Sequence, residues 1–173
     1  MNGRRNKNAK WEFEMSLEVR RVVTGHDENG KAVVVTDEIA TNVRSLRPGG
    51  QSAVVWASDK MPPDLRDDKD ISHDVKSTIF ENGTVCRIAQ FDPGIERRMH
   101  RTASLDYAII LEGEIDMELD DGESVHLKQG DVAIQRGTNH CWVNNGTAPC
   151  KLAFILIHAE MPVIDGNVLD AHG

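Results

Sequence analysis

Short apolar segments separated by tight turns succeed one another regularly through the second half of the sequence, and this pattern restricts the fold more than any other feature. The segments recur about every eight to twelve residues, which is typical of an antiparallel sandwich or barrel. No helical stripe of apolar residues exceeds two turns. The sequence therefore predicts an all-β fold. After residue 76 the predicted strands are Ser77–Phe80, Val85–Phe91, Ser104–Leu111, Glu114–Leu119, Ser124–Leu127, Val132–Gln135, His140–Val143 and Leu152–His158.

The first part of the chain adds strands outside this regular series. Leu17–Thr24 and Lys31–Thr36 flank a cluster of turn-forming residues, so they predict a β-hairpin. A further strand is predicted at Ala53–Trp56, and the aspartate-rich stretch Asp59–Asp70 is predicted as a surface loop that could cover a pocket. We therefore divide the chain into a flexible N-terminal arm over 1–16, one barrel domain over 17–160 and a C-terminal tail over 161–173.

Composition and charge narrow the classes of function. The chain has 173 residues and a formal net charge of −8, so it lacks the basic character of a nucleic-acid-binding protein. No apolar run reaches the roughly 18 residues of a membrane span, and no apolar segment near the N-terminus forms a secretory signal. The three cysteines, Cys86, Cys141 and Cys150, form no CxxC pair and no even disulfide set. These features predict a cytoplasmic protein without nucleic-acid or membrane partners.

Two rows of polar and aromatic side chains follow the strand period of two. Residues two apart on a strand share a face, so each row would line one side of its strand. An enclosed face of this kind needs a ligand, water or a metal to satisfy its polar groups. The first row comprises His100, Thr102, Ser104 and Asp106, and the second comprises His140, Trp142 and Asn144.

The two rows define a candidate metal site. If their strands face each other across a barrel, His100, Asp106 and His140 converge. Two neutral imidazoles and a carboxylate suit one divalent ion per chain, either Fe, Mn, Zn, Ni or Co, and leave coordination positions open. A polar network without metal would satisfy the same rows, and the strand period alone does not decide between them.

Two spaced motifs in this region resemble those of the cupin superfamily. The resemblance covers residues 77–160 and implies an antiparallel double-stranded β-helix, also called a jelly-roll barrel. The first motif, G-x5-H-x-H-x3-4-E-x6-G, is matched in spacing by Gly94, His100, Thr102, Asp106 and Gly113. The second, G-x5-P-x-G-x2-H-x3-N, is approximated by Gly130, Gln135, Gly137, His140 and Asn144.

The sequence departs from the cupin pattern at three positions. Thr102 stands in place of the second histidine, Asp106 replaces the glutamate, and Gln135 occupies the proline slot of a second motif that is one residue short. Cupins typically bind metal through three histidines and a glutamate, so the resemblance implies a site reduced to two imidazoles and a shorter carboxylate. The H-x-T-x-S-x-D-Y set from His100 to Tyr107 resembles a subgroup of small bacterial and fungal cupins.

Further residues are candidates for binding a substrate beside the metal. An outward polar face is predicted for His126, which argues against a role as a metal ligand. Guanidinium groups at the mouth of the site could clamp a carboxylate, or they could pair with surface acids instead. The predicted substrate-binding residues are Gln90, Arg98, Arg101, Thr102, Ser104 and Trp142.

These features favour a metal-dependent cupin enzyme that acts on an oxygenated organic acid or a phenolic, enolisable metabolite. Dioxygenase, isomerase, decarboxylase and dehydratase reactions all stay open. The alternative is a non-catalytic cupin that binds or senses a small molecule through a degenerate metal site. A homodimer is also expected, because the N-terminal strands could pair with the sheet edge of a second copy.

Overall fold

The computed structural model describes residues 17–66 and 69–173, so the predicted arm at 1–16 lies outside the described residues. Within these residues the chain is all-β apart from one 3-10 turn at Asp120–Gly122, and the predicted fold class is confirmed. The strands are β1 (Arg20–His26), β2 (Ala32–Ile39), β3 (Arg44–Arg47), β4 (Gly50–Ser58), β5 (Thr84–Phe91), β6 (Ser104–Glu112), β7 (Glu114–Glu118), β8 (Ser124–Lys128), β9 (Val132–Arg136), β10 (Cys141–Val143), β11 (Cys150–His158), β12 (Val163–Ile164) and β13 (Asn167–Val168).

Strands β1 and β2 form the predicted N-terminal hairpin and pair antiparallel from Arg20 with Ile39 to His26 with Ala32. The carboxylate of Asp27 closes the turn, since its Oδ1 accepts hydrogen bonds from the backbone N–H groups of Asn29 and Lys31, both at 2.9 Å. Aspartate is favoured at such turns because its side chain can satisfy nearby backbone donors. The turn residues of the sequence therefore fix the hairpin.

Two antiparallel sheets enclose the core. The larger sheet has the strand order β3-β4-β5-β11-β6-β9, and the smaller has the order β10-β7-β8. Strand β11 lies between β5 and β6 and pairs antiparallel with both, so the last long strand closes the centre of the larger sheet. Residues of both sheets meet in one cluster, which includes Val85 and Leu152 from the larger sheet and Ile115 and Trp142 from the smaller.

The interior-facing side of β6 changes character along the strand. Ser104, Asp106, Ala108 and Ile110 are all buried, as the alternation of side chains predicts. The first two are polar and the last two apolar. One end of the enclosed space is therefore polar, and the other is filled by the apolar core.

The predicted strand at Ser77–Phe80 is wrong. Residues 77–79 form bends, and the Ser77 hydroxyl donates to the carbonyl of Ile79 at 2.8 Å. Such local side-chain bonds compete with strand pairing. Strand β5, the nearest in sequence, is already paired on both edges, with β4 and with β11. The predicted loop Asp59–Asp70 contains no strand or helix at 59–66 or 69–70.

The C-terminal tail folds back onto the mouth of the barrel. Its strands β12 and β13 pair with each other, and beyond them the backbones of Arg101 and His172 exchange two N–H to O=C hydrogen bonds of 3.0 Å. Gly173 lies in close contact with His100, and its carbonyl accepts a hydrogen bond from Arg98.

The sequence pattern did not predict β12, β13 or the short strand β3. Nowhere in residues 17–66 and 69–173 is there a helix of the length and apolarity that a membrane crossing requires.

Candidate active site

A cavity of about 110 Å³, here called the barrel cavity, opens at the polar end of the enclosed space. A single water molecule needs roughly 10–15 Å³ of such space, so the cavity has room for a small ligand. Its lining residues are Arg47, Gly50, Gln51, Ser52, Thr78, Arg87, Ala89, Phe91, Arg98, His100, Thr102, Asp106, Gln135, His140, Trp142, Phe154 and Leu156.

Two histidines face each other in this cavity. The backbones of His100 and His140 exchange two N–H to O=C hydrogen bonds of 2.9 Å, so an isolated antiparallel bridge holds the two residues opposite each other. Their ring centroids are 4.2 Å apart, and the rings are tilted by 50°. The structure therefore brings these two predicted residues together, while their assignment as metal ligands stays a prediction.

Backbone carbonyls fix the protonation pattern of both rings. The Nδ1 atom of His100 lies 3.1 Å from the carbonyl of Arg98, and Nδ1 of His140 lies 3.0 Å from the carbonyl of Thr138. A carbonyl can only accept a hydrogen bond, so each Nδ1 carries the proton and each Nε2 of the neutral ring has a free lone pair. The same arrangement orients histidines that bind metal ions.

Burial keeps both rings neutral. The pKa of His140 falls to about 4, mainly because the charged imidazolium would be desolvated, and neighbouring positive charges lower it further. The pKa of His100 is also lowered, chiefly by burial. Both imidazoles are therefore available as neutral donors at pH 7.

Asp106 is the one carboxylate that lines the barrel cavity within the described residues. It is only 4% exposed, and its Oδ1 has no hydrogen-bond partner. Burial raises the pKa of Asp106 to about 6, although the Ser104 hydroxyl and the charge of Arg87 oppose the shift. A group with a pKa near neutrality can both take up and release a proton at working pH.

A metal ion fits part of this donor set. The free Nε2 lone pairs of His100 and His140 are suitable donors for a divalent ion. Among the residues that the structure describes, however, no three His, Cys, Asp or Glu side chains are grouped closely enough to hold one. Asp106 lines the same cavity without joining the histidines in such a group. Its assignment as the third ligand stays a prediction.

The structure brings some of the predicted substrate-binding residues to the barrel cavity and leaves others out. Thr102, Trp142 and Arg98 line it. Three others are not among the lining residues. Ser104 lies on the same face of β6, Gln90 is buried and donates to Asp92 at 3.0 Å, and Arg101 contacts the C-terminal tail.

Two cavity arginines and the two phenylalanines beside Trp142 were not predicted as site residues. Arg87 lies on β5 between the interior residues Val85 and Ala89, so strand alternation could have placed it inside and Gln90 on the opposite face. The guanidinium of Arg47 lies 5.5 Å from the ring centre of Phe91. The aromatic wall comprises Phe91, Trp142 and Phe154, with ring centroids of Trp142 and Phe154 at 5.5 Å.

His126 lies outside the barrel cavity, and the arginines near His100 differ from one another in their partners. His126 is exposed on β8, and its Nδ1 lies 2.8 Å from Oδ1 of Asp116, so it faces outward as predicted. The surface pairing considered for the arginines occurs at Arg97, which pairs with Glu118. Arg98 instead contacts the carbonyl of Gly173.

Comparisons with known proteins agree with this architecture. A family model described as a cupin domain (Cupin_2) matches residues 87–157. The cupin-domain-containing oxidoreductase fogC of Aspergillus ruber is 32% identical over 161 residues, which cover 89% of this chain and 79% of fogC. The phomopsin biosynthesis cluster protein D of Diaporthe leptostromiformis is 40% identical over 173 residues, which cover 93% of this chain and 91% of that protein.

A solved structure supports the fold independently. The cupin domain of Schizosaccharomyces pombe Cnp3 superposes with a TM-score of 0.51 at 14% identity, over 80% of this chain and 87% of that chain. At this identity the likeness concerns the fold alone. The predicted jelly-roll barrel is confirmed.

Proposed function

Because the chain belongs to the cupin family, we propose that it is a metal-dependent enzyme that converts a small oxygenated organic acid or an enolisable phenolic metabolite. One observation carries this proposal: two facing neutral histidines and a buried carboxyl group with a pKa near neutrality line the same cavity. The similarity to fogC, whose name describes an oxidoreductase, supports an enzymatic role.

His100 and His140 would hold the metal ion through their Nε2 atoms. Their Nδ1 protons are committed to the carbonyls of Arg98 and Thr138, so the rings need no rearrangement to present the other nitrogen. A divalent ion held here would polarise a substrate oxygen or, as a redox-active metal, carry electrons.

Asp106 would move a proton to or from the substrate. Its carboxyl group belongs to the cavity lining, and the buried Oδ1 has no hydrogen-bond partner, so this oxygen is not committed to another protein group. Its raised pKa makes the carboxylate a stronger base than an exposed aspartate. We assign Asp106 this role rather than that of a ligand because the described residues contain no three-ligand group.

The cavity wall favours a flat or enolised substrate with at least one anionic oxygen. The aromatic wall gives the carbon skeleton an apolar surface. Arg47 and Arg98 line the same cavity and add positive charge beside it. This combination supports a carboxylate or phenolate-like metabolite as substrate.

Metal content tests the first part of the proposal. Protein purified without added metals should contain one divalent ion per chain by elemental analysis. His100→Ala and His140→Ala should each lower this content strongly, because each removes one of the two imidazole donors. The matched control is His126→Ala, which removes an exposed histidine that already pairs with Asp116. Equal metal content in all three variants would reject the assignment.

Substrate conversion tests the role of Asp106. The metal-loaded protein should convert members of a panel of small carboxylic and phenolic acids, detected by mass spectrometry of the products. Asp106→Asn should lower turnover by about 10² to 10⁴-fold while metal content stays unchanged, since general acid–base groups contribute this much. Loss of metal together with turnover would instead identify Asp106 as a ligand.

A second candidate function is a non-catalytic cupin that binds a small molecule. The absence of a three-ligand group within residues 17–66 and 69–173 favours this reading. Such a protein should bind members of the same panel with equal affinity in the presence and absence of metal, and it should release each compound unchanged. Product formation by the wild type and not by Asp106→Asn decides against it.

The expected homodimer stays a prediction. The hairpin of β1 and β2 forms a separate two-stranded sheet, and it exposes Val22, Val34 and Val35 by half or more. Exposed apolar strands of this kind often lie at protein interfaces. Sedimentation at tens of micromolar protein should show a dimer, and a Val34→Lys/Val35→Lys variant should shift it toward monomer.

A further inference from the structure

A second cavity of about 280 Å³ adjoins the barrel cavity, and we call it the basic cavity. The two cavities share the lining residues Ser52, Thr78, Arg87 and Arg98, so they are neighbours across a common wall. The basic cavity is lined by Asn42, Arg44, Ser52, Val54, Ser72, Val75, Lys76, Ser77, Thr78, Arg87 and Arg98.

The charge of this lining is strongly one-sided. Four residues are cationic, namely Arg44, Lys76, Arg87 and Arg98, and the lining includes no carboxylate. The chain as a whole carries a net charge of −8, so this concentration of positive charge runs against the overall composition. Clefts lined by one sign of charge attract ligands of the opposite sign.

Arg44 and Arg87 of the basic cavity donate to backbone carbonyls and not to carboxylates. Arg44 donates to the carbonyls of Val75 at 3.3 Å and His73 at 3.2 Å, and Arg87 donates to the carbonyl of Thr78 at 2.5 Å. Over the described part of the chain, none of the four cations forms an ion pair. Elsewhere the same protein pairs its arginines with acids, as at Arg20 with Asp37 and Arg66 with Asp64.

Arg87 lies where the two cavities meet. Its Nε is buried and has no hydrogen-bond partner, so one donor of the guanidinium fork is unsatisfied. Buried polar groups are normally paired, so Arg87, which lines both cavities, retains hydrogen-bonding capacity that the protein does not use. A carboxylate or phosphate oxygen is the acceptor that matches a guanidinium group.

We propose that the basic cavity binds an oxyanion arm of the substrate, either a second carboxylate or a phosphate ester, while the reacting part of the same molecule occupies the barrel cavity. The proposal depends on the proposed function only for the chemical group of the substrate that reacts in the barrel cavity. Thr78 adds a hydroxyl group that can donate to the same oxyanion. The substrate would therefore be an extended, multiply charged acid rather than a simple monocarboxylate.

Calorimetric titration of the purified full chain with inorganic phosphate and, separately, with succinate tests this proposal. The wild type should bind at least one of the two anions at one site per chain. An Arg44→Gln/Lys76→Gln variant should weaken binding about tenfold or more, because charge-assisted hydrogen bonds are lost. The matched control is Lys128→Gln/Arg136→Gln, which removes two exposed cations from strands whose side chains do not line the basic cavity, and it should bind as the wild type does.

Comparison of the two anions identifies the anionic arm of the substrate. Tighter binding of phosphate assigns a phosphate ester, and tighter binding of succinate assigns a carboxylate.

The His140→Ala variant separates this proposal from the metal site. Unchanged anion binding in that variant supports the basic cavity even if the protein contains no metal. Binding that is lost in His140→Ala but retained in Arg44→Gln/Lys76→Gln would place the anion at the histidines and overturn the proposal. Absence of binding by both anions at millimolar concentration would also overturn it.

Discussion

The two halves of β6 differ in chemistry although their interior side chains are equally buried. Asp106 and Ile110 lie on the same face of the strand and are 4% and 1% exposed. Ile110 is surrounded by the apolar cluster that includes Ile115 and Leu152. Asp106 lines the barrel cavity and has a buried oxygen without a partner. Burial by itself therefore does not reveal which interior residues stabilise the fold.

The difference indicates how stability and function are divided along the barrel. An apolar side chain gains free energy on burial, whereas an unpaired polar group costs roughly 1–3 kcal/mol. The polar end carries such costs at Asp106 and at Oε1 of Gln135. The free energy gained by burying apolar side chains at the apolar end must offset these costs for the protein to stay folded. Variants at the two ends should therefore change stability in opposite directions.

The largest effect is expected at the apolar end. Ile110→Ala should lower the free energy of unfolding by about 2–5 kcal/mol, because it leaves a cavity in a close-packed core. Urea denaturation measures this loss. Metal content and anion binding should be unchanged under conditions where the variant is folded. A loss of less than 1 kcal/mol would mean that the two ends do not differ in the way described.

At the polar end, Asp106→Asn should stabilise the metal-free protein at pH 8. The folded state holds the Asp106 proton more tightly than the unfolded chain, with a pKa of about 6 against the usual 3.8. Stability from this group is therefore full below pH 3.8 and is lost as the pH rises through 6. The cost at pH 8 is about 3 kcal/mol, and the variant should recover it. At pH 4 the gain should be nearly absent, so urea denaturation at both pH values checks the sign.

His140 should give a pH dependence of opposite sign. Its pKa of about 4 lies below the usual 6.5, so its contribution to stability is present above pH 6.5 and is lost as the pH falls toward 4. The loss amounts to about 3 kcal/mol at pH 4. In the metal-free wild type, this loss offsets the gain from Asp106. His140→Gln should therefore lose less stability than the wild type between pH 7 and pH 4, and Asp106→Asn should lose more. Parallel pH profiles for the two variants would contradict this account.

The smallest effect is expected at Gln135, which lies beside Asp106 at the polar end. Its amide contacts the sulfur of Met117 at 3.4 Å, and its Oε1 has no partner. Gln135→Met keeps the volume and removes the unsatisfied oxygen, so it should raise stability by about 1 kcal/mol. Thermal unfolding measures this change. A destabilisation of similar size would indicate that the oxygen is satisfied by an ordered water.

The sequence predicted the apolar end more completely than the polar end. Turn residues and strand alternation located the paired strands from Val85 onward, because a buried antiparallel sheet imposes a period of two. The strand predicted at Ser77–Phe80 is wrong because apolar residues can also pack on the core from segments that are not strands. Ile79 and Phe80 do so without a strand partner, and composition alone does not distinguish the two cases.

At the candidate site, sequence spacing identified His100, His140 and Asp106 but not the arginines around them. The histidines occupy motif positions, whereas Arg87 is one cation within an otherwise ordinary strand. Strand alternation puts Arg87 on the same face as the interior residues of its strand. Charged side chains are rarely interior, so the sequence did not indicate Arg87 as a site residue. The basic cavity also depends on Arg44 and Lys76, which come from segments distant in sequence. Only the folded chain brings them together.

The position of Gly173 affects how this protein is best handled at the bench. Since this residue lies against His100 and Arg98, a purification tag fused to it would begin at the mouth of the barrel cavity. A polyhistidine tag there would offer extra imidazoles beside His100 and His140 and would bind divalent ions itself. Elemental analysis of such a fusion would count the ions of the tag as those of the site. Metal measurements therefore call for a tag at the other end of the chain, or for its removal before analysis.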